Sequence, residues 1–120
     1  MMDPVTAVVK GRVVSGELYM TGNSNNPSSI EITGMKSGVG NVRFDWIPEK
    51  PKNDGNELYV TVGEKTVTVN YNKDTSGYSF NYDFNDSAAT GISIKPKTDE
   101  SMTVNEEQRI KIDNLVWTVY

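Results

Sequence analysis

The chain has 120 residues, 36% of them hydrophobic and 23% charged, which suits one domain with a single core and excludes a disordered segment. It contains neither cysteine nor histidine, which removes disulfides, zinc-thiolate centres, thiol nucleophiles and the imidazole general base. The net charge of −4 is spread with both signs mixed, so no basic footprint for a phosphate backbone exists and no nucleic-acid partner is expected.

Almost everywhere the apolar residues recur at a spacing of two, the period of a half-buried strand. Pro4 to Val14 reads as extended, with Gly11 marking a bulge or bend. Glu17 to Thr21 follows, and Gly22 to Pro27 (G-N-S-N-N-P) is a loop. Ser29 to Thr33 alternates through Ile30 and Ile32, and Gly34 to Asn41 carries the next turn. Val42, Phe44 and Trp46 then point one way, with Arg43 and Asp45 the other. Pro48 to Asn56 is the longest polar connection. Leu58, Val60 and Val62 form a strand, and Gly63-Glu64 fits a type II′ turn into the strand of Val67, Val69 and Tyr71. After a turn at Asn72 to Gly77 come Tyr78, Phe80, Tyr82 and Phe84 in alternate positions, the pattern of one core wall. Ile92 and Ile94 follow, Pro96 stops their strand, and Lys97 to Met102 is a surface link.

The last thirteen residues, Gln108 to Tyr120, read as two short strands meeting at a bend at Asp113-Asn114. Ile110, Ile112, Leu115, Trp117 and Val119 are their core positions. The whole gives about nine or ten short strands at regular spacing, the pattern of an all-β antiparallel sandwich. Only Val104 to Arg109 has the composition for a helical turn, and none is expected there.

No apolar run reaches the ~20 residues of a membrane helix, so no membrane insertion is expected. Met1-Met2-Asp3-Pro4 lacks the basic start and apolar core of a signal peptide, which fits a domain cut from an exported precursor or a protein acting where it is made.

Few motifs carry chemistry. Gly38-Val39-Gly40 lacks the third glycine and the helix of a dinucleotide site, and reads as a tight turn. Asn53-Asp54-Gly55-Asn56-Glu57 lacks the alternating oxygen ligands of a calcium loop. A glycosidase needs two carboxyls about 5–10 Å apart across a cleft. Only Asp45 and Asp83 lie within aromatic-rich strands, and no catalytic residue is expected. Asn85-Asp86-Ser87 matches a glycosylation acceptor, a triplet common by chance.

What remains are the outward positions Arg43, Asp45, Tyr59, Thr61, Thr66, Thr68, Asn70, Asn81 and Asp83. A ring face to stack on, with a guanidinium, amides and carboxylates for hydroxyls, suits a hydroxyl-rich ligand. Arg43, Asp45, Tyr59, Asn81 and Asp83 are the candidate ligand-binding residues.

Three segments together carry a resemblance: S-I-E-I-T-G-M-K-S-G-V-G-N-V-R-F-D-W (Ser29–Trp46), L-Y-V-T-V-G-E-K-T-V-T-V (Leu58–Val69) and R-I-K-I-D-N-L-V-W-T-V-Y (Arg109–Tyr120). In that order they resemble the jelly-roll, carbohydrate-binding-module-like (galactose-binding-like) accessory domains of secreted bacterial proteins. The resemblance implies a two-sheet jelly roll over residues 1–120, non-catalytic, at the cell surface or outside the cell, binding a glycan or packing on a neighbouring domain. It implies no cofactor beyond a structural calcium, for which Asp113 matches an aspartate of the closing strand, with Asp3 and Glu17 as guessed acidic partners. The alternative is a structural or assembly module, a surface-fibre or virion subunit with an immunoglobulin-like sandwich, whose Val5, Ala7, Val9 arm would add a strand to a neighbour.

Overall fold

A computed structural model describes residues 6–10, 12–14, 17–21, 28–49, 56–71, 78–97 and 109–120. Among them the chain forms ten strands: β1 (Thr6–Lys10), β2 (Arg12–Val14), β3 (Glu17–Thr21), β4 (Ser29–Thr33), β5 (Val39–Glu49), β6 (Asn56–Val62), β7 (Lys65–Tyr71), β8 (Tyr78–Asp86), β9 (Gly91–Pro96) and β10 (Arg109–Trp117). They make two antiparallel five-stranded sheets, A in the order β1-β4-β9-β6-β7 and B in the order β2-β3-β10-β5-β8. Only β2–β3 and β6–β7 keep consecutive strands within one sheet. Every other consecutive pair is divided between the sheets, which is the winding of a jelly roll.

Period-two alternation builds the core. From sheet A, Ile30, Ile32, Leu58, Val60, Val62, Ile92 and Ile94 point inward and are buried. Sheet B answers with Met20, Val42, Phe44, Trp46, Phe80, Ile110 and Ile112, also buried. Burying each such side chain stabilises the fold by about 1.5–3 kcal/mol. Aromatic contacts tie neighbours and layers together. Phe44 stacks on its cross-strand partner Phe80 with centroids 4.9 Å apart, and Trp46 meets Tyr71 of the opposite sheet edge-on at 5.3 Å. Burial pushes the Tyr71 phenol pKa upward. Lys65 of β7 lies over the Tyr82 ring of β8 at 5.0 Å, joining the two sheets at one edge.

Several expectations change in detail. The closing segment is one strand, β10, central in sheet B and paired with both β3 and β5. Asp113-Asn114 is therefore a β-bulge, not a bend between two strands: Asp113 pairs with Asp45 and Val116 with Arg43, leaving two residues opposite Phe44. The bulge resets the alternation, so Leu115 and Trp117 pack on the core after Ile110 and Ile112 have done so. Val119, read as core, lies past the strand and is 58% exposed. Strand β5 begins at Val39, so Gly40 and Asn41 are strand residues, while Gly38 makes the turn with φ 76°. It also runs through Pro48, paired with Ile110, to Glu49. Pairing with β8 ends at Trp46↔Tyr78, so Pro48 has one neighbouring strand among the described residues, as prolines on edge strands do.

Phe80 is buried and Tyr82 and Phe84 pack against the core, as one wall should. Gly63 has φ 61° in a two-residue turn closed by Val62↔Lys65, as expected. The chain passes from sheet A to sheet B between β1 and β2. Ala7 and Val9 of the N-terminal arm pair with Ile32 and Ile30 of the chain's own β4, so that strand is already used within this fold. Asp3, Val5, Gly11, Gly22–Pro27, Asn53–Gly55, Asn72–Gly77, the link beyond Lys97 and the Val104–Gln108 segment lie outside the described residues.

The core assignment gives a direct check. Phe44→Ala should cost about 3–5 kcal/mol, as for a buried phenylalanine, whereas Val119→Ala should stay within about 0.5 kcal/mol. Urea denaturation followed by circular dichroism measures both. Equal destabilisation by the two substitutions would contradict the bulged closing strand.

Candidate functional site

Each sheet carries an outward row of polar groups that alternate with the core, and sheet B holds the row that contains Arg43. Strand β5 lies between β10 and β8 and presents Asn41, Arg43, Asp45 and Ile47 outward. Across from them stand Asp83, Asn81 and Ser79 on β8, and Val116, Asp113 and Lys111 on β10. Arg43, Asp45, Asn81 and Asp83 of the candidate set thus share one face. Tyr59 does not. It belongs to β6 in sheet A, where it pairs with Thr68 and Lys95 on the opposite side of the sandwich. Alternation in the sequence separates inside from outside but does not say to which sheet a strand belongs.

Two hydrogen-bonded groups organise the face. In the first, Asn41 Nδ2 donates to Asn81 Oδ1 at 2.6 Å and to Asp83 Oδ1 at 2.9 Å. In the second, Ser79 Oγ donates to Asp45 Oδ1 and Asn114 Nδ2 to Asp45 Oδ2, each at 2.8 Å. Asn114 also donates its backbone N–H to Asp113 Oδ1 at 2.8 Å. It can do both because it is the bulged residue, in the left-handed conformation at φ 54° that asparagine tolerates better than most. Asp45 and Asp113 face each other in register, a destabilising like-charge pair, and Asn114 puts a donor on each.

Asn41, Ser79 and Asn114 were not among the candidates. Asn41 is hidden in a glycine-rich segment that reads as loop, and Asn114 in what reads as a turn. Ser79 alternates with the aromatic stripe, a signal that was available.

Between the two groups stands Arg43. It is exposed, and among the described residues its guanidinium has no hydrogen-bond or ion-pair partner. Val116 pairs with it across the strands and Ile47 lies two outward positions further along β5, 42% and 41% exposed, aliphatic surface among the polar side chains described on this face.

Hydrogen bonds from Asn114 and Ser79 hold the Asp45 carboxyl below the usual aspartate pKa. That is opposite to a general acid, whose pKa must be raised. Asp45 is level with Ser79, and Asp83 lies four residues further along β8, roughly 13 Å at a strand's rise. This exceeds the separation of a glycosidase pair, about 5–10 Å. The two carboxylates bind in separate networks rather than across one cleft.

Asp113 is exposed at the bulge and accepts the Asn114 N–H, the role of an aspartate in a turn. Among the described residues no group of three or more acidic or other metal-ligating side chains comes together. Asp3 and the Glu17 side chain lie outside them. On sheet A, the Tyr59 hydroxyl donates to Glu57 Oε2 at 2.5 Å, and this bond raises the phenol pKa.

The Asp45 network sets a pH dependence. Its folded pKa is depressed, so its stabilisation is fully present above the ordinary aspartate pKa, about 3.9. It is lost as pH falls through the lower folded value. Asp45→Asn should therefore lower Tm near neutrality, and the gap from the wild type should close below about pH 4. Thermal melts across that range measure it, and a gap that persists unchanged in acid would refute the assignment.

No protein-family model and no curated protein matches the sequence. Solved structures do match. A family 61 carbohydrate-binding module, solved with β-1,4-galactotriose, is 12% identical with a TM-score of 0.57, covering 98% of this chain and 89% of its own. A mutant of a family 29 carbohydrate-binding module is 14% identical with a TM-score of 0.52, covering 97% of this chain and 81% of its own. At this identity the likeness shows the fold, and that fold is the β-sandwich jelly roll of carbohydrate-binding modules.

Proposed function

We propose that the domain is a non-catalytic, carbohydrate-binding accessory module working outside the cell, and that it binds a neutral glycan along the outer face of sheet B. The observation that carries this reading is Arg43: a guanidinium without a partner among the described residues, set between two polar groups already tied to one another. Those bonds hold Asn41, Asn81, Asp83 and Asp45 in place, so a ligand meets acceptors that need little ordering. The guanidinium fork matches adjacent sugar hydroxyls, and Ile47 and Val116 offer surface for the sugar's C–H faces. Among the described side chains of this face Asp45, Asp83 and Asp113 outnumber the cations Arg43 and Lys111, which favours a neutral ligand over an acidic one. The carbohydrate-binding modules sharing the fold, one of them solved with β-1,4-galactotriose, support the ligand class. Among the described residues no helix is long and apolar enough to cross a membrane.

The test is a glycan array followed by NMR titration of the best hit, read at the amides of β5 and β8. Arg43→Ala should weaken binding there about 10- to 100-fold, as for a hydrogen bond to a charged group. Tyr59→Ala should leave those titrations unchanged. An array without hits, or affinity at β5 and β8 indifferent to Arg43→Ala, would sink the reading.

A further inference from the structure

Sheet A has its own outward surface, and one end of it is not flat. Gly91 occupies an outward position at the start of β9, opposite Thr33 of β4, and Gly63 opens the turn after β6 nearby. The missing side chain at Gly91 leaves a trough of about 210 Å³, walled by Glu31, Thr33, Thr61, Thr90 and Ser93. The floor cannot readily fill in. A Cβ on Gly91 would overlap the Ile32 carbonyl oxygen.

The walls are hydrogen-bonding groups in set positions. Ser93 Oγ donates to Glu31 Oε1 at 3.0 Å, and the Thr61 and Thr66 hydroxyls bond at 2.9 Å. Ser93 uses one of the roughly four acceptor sites of a carboxylate. Beside the trough on the same face is Tyr59, two residues before Thr61 and so about 7 Å from it along β6. Its hydroxyl reaches back to Glu57, and Glu57 also meets Lys97 Nζ at 3.7 Å. The ring is half-buried and leans along β6 towards Glu57, on the side away from Thr61.

We propose that this surface is a second binding site, distinct from the face of sheet B, which takes the terminal neutral sugar ring of a glycan in the trough, with the rest of the glycan running along β6 towards Tyr59. The size fits one ring, because pockets for larger ligands start at roughly 300 Å³. A carboxylate and hydroxyls, with no cation among the residues of the trough, match vicinal sugar hydroxyls and disfavour an acidic sugar. The trough lies at the end of the sheet, bounded by the β6–β7 turn and Thr90, so it suits a chain terminus. The site uses none of the residues of the sheet B face and stands or falls separately.

The experiment is an NMR titration of the ¹⁵N-labelled full chain with methyl β-glycosides of glucose, galactose and mannose, then with their β-linked disaccharides, to high millimolar concentration. At least one sugar should shift the amides of Thr61, Gly63, Gly91 and Ser93 in a saturable way. Thr61→Val should weaken that binding roughly three- to tenfold, as for one neutral hydrogen bond. Ser93→Ala carries the same test should the valine variant fail to fold. Tyr59→Ala should spare the monosaccharide, and Arg43→Ala should not change the binding read at these four amides. No shift at these amides with any of the sugars, shifts confined to β5 and β8, or affinity indifferent to both Thr61→Val and Ser93→Ala would each overturn the proposal.

Discussion

Strand β10 must hold hydrogen bonds on both sides in the middle of sheet B while carrying one residue too many for its partner β5. The extra residue is absorbed at Asn114, in the left-handed conformation. Such a residue costs about 1–2 kcal/mol in general, and asparagine less. The return comes on both faces of the strand. Inward, the reset phase sends Leu115 and Trp117 to the core that Ile110 and Ile112 already line. Outward, it puts Asp113 and Asn114 together on the solvent side, where the asparagine serves both facing aspartates. A strand without the bulge would turn either Ile110 and Ile112 or Leu115 and Trp117 to the water.

The same device recurs across β5. Between Val39↔Asp86 and Asn41↔Asp83, Phe84 and Asn85 oppose the single residue Gly40, and Asn85 has φ 47°. Gly40 matters for the other side too. Its N–H donates to the Thr118 carbonyl, and a Cβ there would stand 2.7 Å from Thr118 Oγ1. Asn41 accepts Thr118 N–H at its carbonyl and donates its own N–H to Thr118 Oγ1. The outward row of β5, with Arg43 in it, is therefore fixed between two neighbours that bend around it. That rigidity keeps the amides and carboxylates of sheet B oriented without a ligand.

Much of this was legible in the residues. Period-two alternation marks Val42, Phe44 and Trp46 as core and Arg43 and Asp45 as outward, because a strand buried on one face permits no other arrangement. The slip of phase between Ile112 and Leu115 was visible as well. A hairpin bend and a bulge produce the same slip, and they differ only in whether both halves pair with the same strand. Assigning Tyr59 to the company of Arg43 failed for a related reason. Consecutive strands in a jelly roll usually change sheets, so neighbours in sequence such as β5 and β6 present their outward residues on opposite sides. Asn41 and Asn114 became part of the site only through pairing partners 40 or more residues away.

The division of Tyr59 from Arg43 has a physical consequence for any ligand. Packed sheets stand about 10 Å apart, and the side chains of each outer face extend further out, so no single sugar reaches both groups. The two faces also differ in chemistry. Sheet B offers the Arg43 guanidinium, amides and paired carboxylates along an open strand row, while sheet A offers hydroxyls, the Glu31 and Glu57 carboxylates and a ring near a closed end. Sites this far apart without shared partners act additively. If both proposed faces bind, they could engage two chains, or two stretches of one chain that folds back. In either case the second contact is strengthened by effective concentration rather than by any new bond.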